Sequence, residues 1–137
     1  QCPPSFAANE DNSSQLKRFF HWASGGRLRF AWEPRHSTWT PAIVGELCRE
    51  LDLIHTVDPF EQESVFGEPR YYRLHGTAVG GFRYEYDHPY SDVELQELKQ
   101  LCEEKPTYCL FNNKQMSTDT ARFIEIAQPA EVTSHRN

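Results

Sequence analysis

Charged and amide side chains follow four apolar segments of this 137-residue chain, at the point where each segment ends. Carboxylates and imidazoles transfer protons or bind metal ions, and a guanidinium offers paired donors to a phosphate or carboxylate. In parallel α/β folds the carboxyl ends of the strands share one edge, where ligands bind. We therefore expect these side chains to line one cavity. They are Glu33 and Arg35, Asp58, Arg73 and His75, and Asn112 with Asn113.

The alternation of side chains along each segment supports a common cavity. Successive residues of a strand point to opposite faces. If Glu33, His75 and Asn112 face the cavity, the residues on the other face are mainly apolar or aromatic, as a helix-covered face requires. Because Asn112 and Asn113 are adjacent, only one of them lines the cavity, and we assign Asn112 to it.

These strand ends are compatible with proton transfer, with metal binding and with a structural role. Glu33 is a candidate general base or metal ligand, and His75 is a candidate acid or ligand. Asp58 would orient the imidazole or complete a ligand set, so Glu33, Asp58 and His75 are candidate ligands of a divalent metal. The alternative for Glu33 is an ion pair with Arg35 or Arg73. The sequence contains no close-spaced metal motif that would decide between them.

An anionic ligand is a further candidate, because the chain places guanidinium groups among these strand ends. Arg35 and Arg73 have the planar geometry that suits a phosphate, and Lys114 lies just beyond the last strand end. Alternatively, Glu33 or Asp58 satisfies Arg73 within the protein.

Aromatic residues near the strand ends have two possible roles. Tyr84 and Tyr86 lie in the long loop over 77–90, which would cover the cavity mouth as a lid. Their rings would stack on a base or sugar, or they would pack the loop onto the protein. Trp39, at a strand-to-helix junction, has the same two alternatives, and we include it among the candidate ligand contacts.

Apolar segments alternate with helical patterns, which predicts βαβ units, a parallel sheet and an α/β fold. No glycine-rich phosphate loop or dinucleotide fingerprint occurs in the sequence. Strands are predicted over 28–32, 53–57, 71–74 and 108–111. Helices are predicted over 14–23, after a Thr40 cap, after a capping box at Ser91, and from Thr118.

Composition narrows the classes of partner. No apolar run reaches the roughly 18 residues of a membrane span, so we expect no membrane association. Fourteen basic against twenty acidic residues give a net charge of −6, which disfavours broad nucleic-acid binding. Without a signal peptide or zinc-ligand spacing, we expect free cysteine thiols and a cytoplasmic location. The cysteines are Cys2, Cys48, Cys102 and Cys109.

Several motifs, spread from Gln1 to about Ala127, resemble those of the YecE-like family, which has no settled biochemical role. They are Gln1-x-Pro3-Pro4-Ser5-Phe6, Glu33-Pro34-Arg35-His36-Ser37-Thr38-Trp39, Asp58-Pro59, Tyr72-Arg73-Leu74-His75-Gly76, Tyr84-x-Tyr86 and Phe111-Asn112-Asn113. The resemblance implies a TIM-type barrel, a fold with eight parallel strands. Some barrels of the family are broadly similar to metal-dependent apurinic endonucleases and sugar isomerases. The family's Asp-Thr-Pro segment is replaced here by Asp58-Pro59-Phe60.

The resemblance also implies which part of a barrel the chain holds. The Gln-x-Pro-Pro element is similar to the end of the fourth barrel strand, so residues 1–127 would supply strands four to eight. Gln1 would then lie at the site, and a chain that begins at Gln1 would start inside a larger protein. Residues 128–137 are predicted to form a disordered polar tail. As a fragment with open sheet edges, the chain is also a candidate for self-association.

Two functions fit these expectations. The first is a hydrolase that acts on a phosphorylated or nucleic-acid-like substrate at the strand ends. The alternative is a binding module without chemistry, which would recognise an anionic small molecule or single-stranded nucleic acid. The catalytic candidates are Glu33, Asp58 and His75, and the ligand contacts are Gln1, Arg35, Trp39, Arg73, Tyr84, Tyr86 and Asn112.

Overall fold

Strands and helices alternate along the chain, as the sequence predicts. The computed structural model describes residues 1–25, 28–80 and 83–128, so most of the predicted tail lies outside the described residues. In chain order the elements are α1 (Glu10–Ser24), β1 (Phe30–Trp32), α2 (Pro41–Leu51), β2 (Leu53–Val57), β3 (Arg70–Leu74), β4 (Thr77–Gly80), β5 (Arg83–Glu85), α3 (Asp92–Glu103), β6 (Thr107–Phe111) and α4 (Met116–Ala127).

A parallel sheet organises the fold, with its strands in the order β1-β2-β3-β6. Residues paired across parallel strands point to the same face, and the next residue along each strand points to the other. One face, which we call the helix face, carries Trp32, His55, Val57, Tyr72, Leu74, Cys109 and Phe111. The opposite face, which we call the site face, carries Ala31, Ile54, Thr56, Tyr71, Arg73, Tyr108 and Leu110.

The helices bury the helix face in two hydrophobic clusters. One joins β1 and β2 to α1 and α2, and the other joins β2, β3 and β6 to α3 and α4. On β6, by contrast, the site-face residues Tyr108 and Leu110 are 59% and 38% exposed. This difference agrees with the predicted alternation. The first cluster contains Leu16, Phe20, Trp32, Val44, Leu47 and Leu53, and the second contains Val57, Tyr72, Leu74, Leu95, Leu98 and Phe111.

The helix starts follow local capping chemistry. The Thr40 hydroxyl accepts a hydrogen bond from the Ile43 amide, and Ser91 forms the predicted capping box with Glu94. Helix α1 begins earlier than predicted, because the Asn9 side chain caps it by accepting from the Asn12 amide. Within the described part of the chain, no helix is long and apolar enough to cross a membrane.

The predicted loop over 77–90 contains an antiparallel hairpin, formed by β4 and β5. Its second strand rests on Gly76, which has a φ of +96° and would place a Cβ atom 2.3 Å from the Glu85 carbonyl oxygen. The Gly76 amide also donates to the Tyr90 hydroxyl at 2.8 Å. Only a residue without a side chain allows this approach, so Gly76 sets the hairpin's position beside the strand ends.

Replacing Gly76 should destabilise the fold more than the same change at Gly80. Both glycines have positive φ, but a Cβ at Gly80 meets nothing within 4 Å among the described atoms. Gly80→Ala should cost about 1–3 kcal/mol for backbone strain alone. Gly76→Ala should cost roughly 1–3 kcal/mol more, because the Glu85 backbone must move. Urea unfolding of both variants measures the difference, and equal losses would contradict the close approach.

His55 should make stability depend on pH. Its Nδ1 accepts from the Val65 amide, and burial lowers its pKa to about 4. The unfolded chain, with an ordinary histidine pKa near 6.5, then binds a proton that the folded chain rejects. Above about pH 6.5 His55 is neutral in both states and does not lower the free energy of unfolding. As the pH approaches 4, protonation of the unfolded chain lowers the free energy of unfolding by about 3 kcal/mol.

Comparison of urea unfolding at pH 7.5 and pH 4.5 for the wild type and His55→Gln tests this effect. Titration of carboxylates is common to both proteins, so the difference between them isolates the histidine. The wild type should lose more stability than the variant over this interval. Parallel losses would show that His55 does not titrate with a depressed pKa.

Candidate active site

Glu33 lies at the centre of the predicted site, directly after β1. Its side chain is 7% exposed and contacts a guanidinium on each side. Arg73 Nη1 donates to Glu33 Oε2, and Arg35 Nε lies 3.6 Å from Oε1. Burying a carboxylate is costly unless cations compensate it, and the two guanidinium groups supply that compensation.

The imidazole of His75 lies between two carboxylates. Nε2 is 3.5 Å from Glu33 Oε1, and Nδ1 is 3.4 Å from Asp58 Oδ2. The side chain is 1% exposed, yet neither ring nitrogen has a hydrogen-bond partner within the described part of the chain. Buried polar atoms without partners are uncommon in proteins and are frequent at functional sites.

Asp58 joins the end of β2 to the end of β3. Its Oδ2 accepts from the His75 amide at 2.9 Å, and its Oδ1 accepts from the Phe60 amide at 3.2 Å. The carboxylate is buried, and these two backbone amides fix its position. Asp58 therefore orients the His75 backbone as well as facing its ring.

Aromatic rings from the hairpin cover the imidazole. Tyr84 stacks on His75 with ring centroids 4.5 Å apart, and the Arg35 guanidinium lies 5.6 Å from the Tyr84 centroid. Tyr86 approaches the imidazole edge-on at 6.3 Å and is 38% exposed. Burial, and then the Asp58 charge, raises the pKa of Tyr84 to about 12. The phenol therefore stays protonated at neutral pH.

Gln1 and Asn112 lie at the edges of the same group. Gln1 Oε1 accepts from Arg73 Nη1 at 2.7 Å, which places the first residue of the chain beside the Glu33 ion pair. Asn112 is half-buried at the end of β6, and its backbone N–H donates to the Leu74 carbonyl at 2.8 Å. Asn113 is instead buried in a structural role, donating to the His88 carbonyl and to Asp119.

Trp39 packs in the hydrophobic core, which is the second of its two predicted roles. Its ring belongs to the first hydrophobic cluster and packs edge-on against Trp32, with centroids 5.2 Å apart. Its Nε1 donates to the Phe6 carbonyl at 2.6 Å. The indole is a core group that ties the amino-terminal segment to the sheet. Lys114 is likewise engaged elsewhere, at 2.8 Å from Asp87.

The carboxylates and the imidazole come together, but their arrangement does not suit a metal. Asp58 and Glu33 face different nitrogens of the His75 ring, so one ion could not contact both carboxylates and the imidazole. Among the described residues, no group of three or more His, Cys, Asp or Glu side chains could hold a metal ion. Within the described residues, Glu33, Asp58 and His75 therefore do not form a three-ligand metal site.

Sequence reasoning missed Glu61, which lies in the connection after β2. Burial, and then the Asp58 charge, raises the pKa of the Glu61 carboxyl. With Gln62, Ala78 and Tyr84 it lines a cavity of about 180 Å³ beside the hairpin. The only sequence signal was an acidic residue shortly after a strand end, in a segment without a regular pattern.

The chain has a fold similar to that of two solved structures. Two crystal structures of a DUF72 family protein from Enterococcus faecalis V583 resemble the chain at 19% and 18% identity, with TM-scores of 0.70 and 0.69. The matches cover 90% and 91% of this chain but only 56% of each solved chain. At this level of identity they establish similarity of fold alone. No curated protein matches the sequence.

The family comparison covers nearly the whole chain. The family model described as "Protein of unknown function DUF72" matches residues 1–134. YecE-like and DUF72 name the same family, so the motifs at the strand ends and the family model agree. The chain belongs to the DUF72 family of proteins of unknown function.

Proposed function

We propose that this site binds a phosphorylated substrate and hydrolyses it by proton transfer at His75. The observation that supports this proposal is a buried imidazole set between two carboxylates and beside two guanidinium groups. Such groups supply a proton acceptor and, close to it, a positively charged binding site for an anion.

The cationic side of the site is suited to a phosphate. The described contacts of the Arg73 guanidinium use only Nη1, which serves both Glu33 and Gln1, and the side chain is 21% exposed. A guanidinium has five N–H donors, so others remain for an anion. Because Arg35 also lies against Glu33, this end of the site carries two positive charges for one negative charge.

The acid–base step fits His75 better than Glu33. Each carboxylate oxygen of Glu33 already lies beside a guanidinium group, so Glu33 is engaged in ion pairs. Imidazole is the side chain that ordinarily gains and loses a proton near neutral pH. Asp58, facing Nδ1, would orient the ring so that Nε2 accepts the proton of an attacking water. The water oxygen would bond to phosphorus as the bond from phosphorus to the leaving oxygen breaks, while Glu33 stabilises the imidazolium. The imidazolium would then return its proton to the leaving oxygen.

We further propose that the sheet is part of a TIM-type barrel, to which this chain contributes the carboxyl-terminal strands. The parallel strand order supports this, as do helices packed on one face and exposed Tyr108 and Leu110 on the other. The chain spans 56% of the solved relatives, so the complete protein would contribute further groups to the site.

One observation favours a binding module as the second candidate. His75 is 1% exposed and lies beneath Tyr84, so the ring is covered. In that case Arg73, Tyr86 and Asn112 would contact an anionic small molecule or single-stranded nucleic acid without turnover. The net charge of −6 argues for a small ligand over nucleic acid.

Arg73→Gln should weaken phosphate binding, whereas Arg70→Gln should not. Both arginines belong to β3, but Arg70 lies at its other end and pairs with Glu104. Loss of one charge-assisted contact should raise the Kd for inorganic phosphate roughly 10- to 100-fold. Calorimetric titration of the full-length protein measures it, and equal Kd values for Arg73→Gln and the wild type would contradict the anion site.

His75→Gln should reduce turnover of p-nitrophenyl phosphate and bis(p-nitrophenyl) phosphate by at least about 100-fold, with phosphate affinity retained. Glu33→Gln should reduce both, because it disturbs the guanidinium groups as well. The matched control is His55→Gln, the same change at a buried position on the helix face of β2.

The outcomes of this screen decide whether His75 is catalytic and which of the two candidate functions holds. Turnover that survives His75→Gln would rule out its catalytic role. Phosphate binding without turnover in the wild type would favour the binding module over the hydrolase.

A further inference from the structure

Two cysteines outside the site face each other across the second hydrophobic cluster. Cys102 lies near the end of α3 and Cys109 lies in β6, and their Sγ atoms are 3.4 Å apart. Both thiols are free and partly buried. A disulfide has a sulfur–sulfur distance of about 2.05 Å, so only a small approach separates this contact from a covalent bond.

The surroundings distinguish the two thiols. Arg70 Nη1 donates to the Leu101 carbonyl at 3.0 Å and to the Tyr72 hydroxyl at 3.2 Å, which places a guanidinium beside Cys102. The hydrogen bond from Cys109 lowers the pKa of Cys102, and the Arg70 charge adds to the effect. The same hydrogen bond, with burial, raises the pKa of Cys109. Cys102 is therefore the better nucleophile, because the thiolate is the reactive form.

The remaining cysteines lack this arrangement. Cys48 is fully buried, and burial raises its pKa to about 12, so its thiol is inert. Cys2 accepts a hydrogen bond from Trp32 Nε1 at 3.2 Å, with no second sulfur described beside it. The contact between Cys102 and Cys109 is thus a specific feature of the α3–β6 packing.

We propose that Cys102 and Cys109 form a reversible dithiol–disulfide pair that reacts with hydroperoxides. The Cys102 thiolate attacks one peroxide oxygen, the O–O bond breaks, and the departing oxygen takes a proton to leave as water or an alcohol. The Cys109 sulfur then attacks the sulfenic sulfur of Cys102, the S–O bond breaks, and water leaves with the Cys109 proton. Two thiols lose two electrons, and one peroxide is reduced.

The bond would tie the end of α3 to β6 across the turn at 104–106. It would lie on the helix face, whereas the phosphate site lies on the site face, so the pair acts independently of the proposed hydrolase. Closing this loop restricts the unfolded chain, so the oxidised form should resist urea better than the reduced form.

Hydrogen peroxide treatment of the full chain, followed by peptide mapping, tests the proposal without any substitution. The expected product is an intramolecular disulfide between Cys102 and Cys109, with Cys48 unmodified and with recovery of the thiols in dithiothreitol. A disulfide that involves Cys2 or joins two chains would overturn the proposal. So would oxidation of either thiol to sulfinic acid without a disulfide intermediate.

Single variants then test the order of the two steps. In Cys109→Ser, Cys102 should accumulate as a sulfenic acid that dimedone traps. In Cys102→Ser, Cys109 should stay unmodified at the same peroxide dose. Dimedone labelling of Cys109 with Cys102 unreactive would overturn the assignment of the nucleophile. Cys2→Ala is the matched control, and it should form the disulfide as the wild type does.

Discussion

The ion pair between Glu33 and Arg73 is the constraint on which the site depends. Glu33 follows β1 and Arg73 belongs to β3, so the pair spans β2, the strand between them. Burying a carboxylate is costly unless a cation compensates it, and losing one partner of such a pair typically costs about 3–5 kcal/mol. The pair therefore keeps the ends of β1 and β3 together on the site face. Gln1 and Arg35 are positioned by this same contact.

The remaining groups are ordered around that pair. Glu33 Oε1 faces Nε2 of the His75 ring, and Asp58 faces Nδ1 on the other side of the ring. Asp58 also accepts a hydrogen bond from the His75 backbone amide. Tyr84 then covers one face of the imidazole, and the lower local polarity strengthens each electrostatic interaction beneath it. The hairpin reaches this position because Gly76 admits the Glu85 carbonyl. A backbone requirement at the residue after His75 thus determines how closely Tyr84 covers the ring.

Sequence reasoning was informative where a local rule was enough. Strand alternation placed Glu33, Arg73 and His75 on one face, because the side-chain period of a strand is fixed. It left the role of Trp39 undecided, because an aromatic residue at a strand end has the same pattern whether it contacts a ligand or the core. The Phe6 carbonyl decided that case, and it lies far away in sequence. The direction of the His75 ring, which argues against a metal set, depends on its neighbours and not on spacing.

Strand β3 shows how one alternating segment serves two kinds of chemistry. Arg73 points to the site face and pairs with Glu33, while Arg70, three residues earlier, lies beside Cys102 on the helix side. An odd separation along a strand sends two side chains to opposite faces, so the same residue type lies beside the carboxylates on one face and beside the thiols on the other. The sheet keeps a cation near the carboxylates and another near the sulfurs without bringing the two together. The proposed oxidation of the thiols would therefore leave the polar site intact.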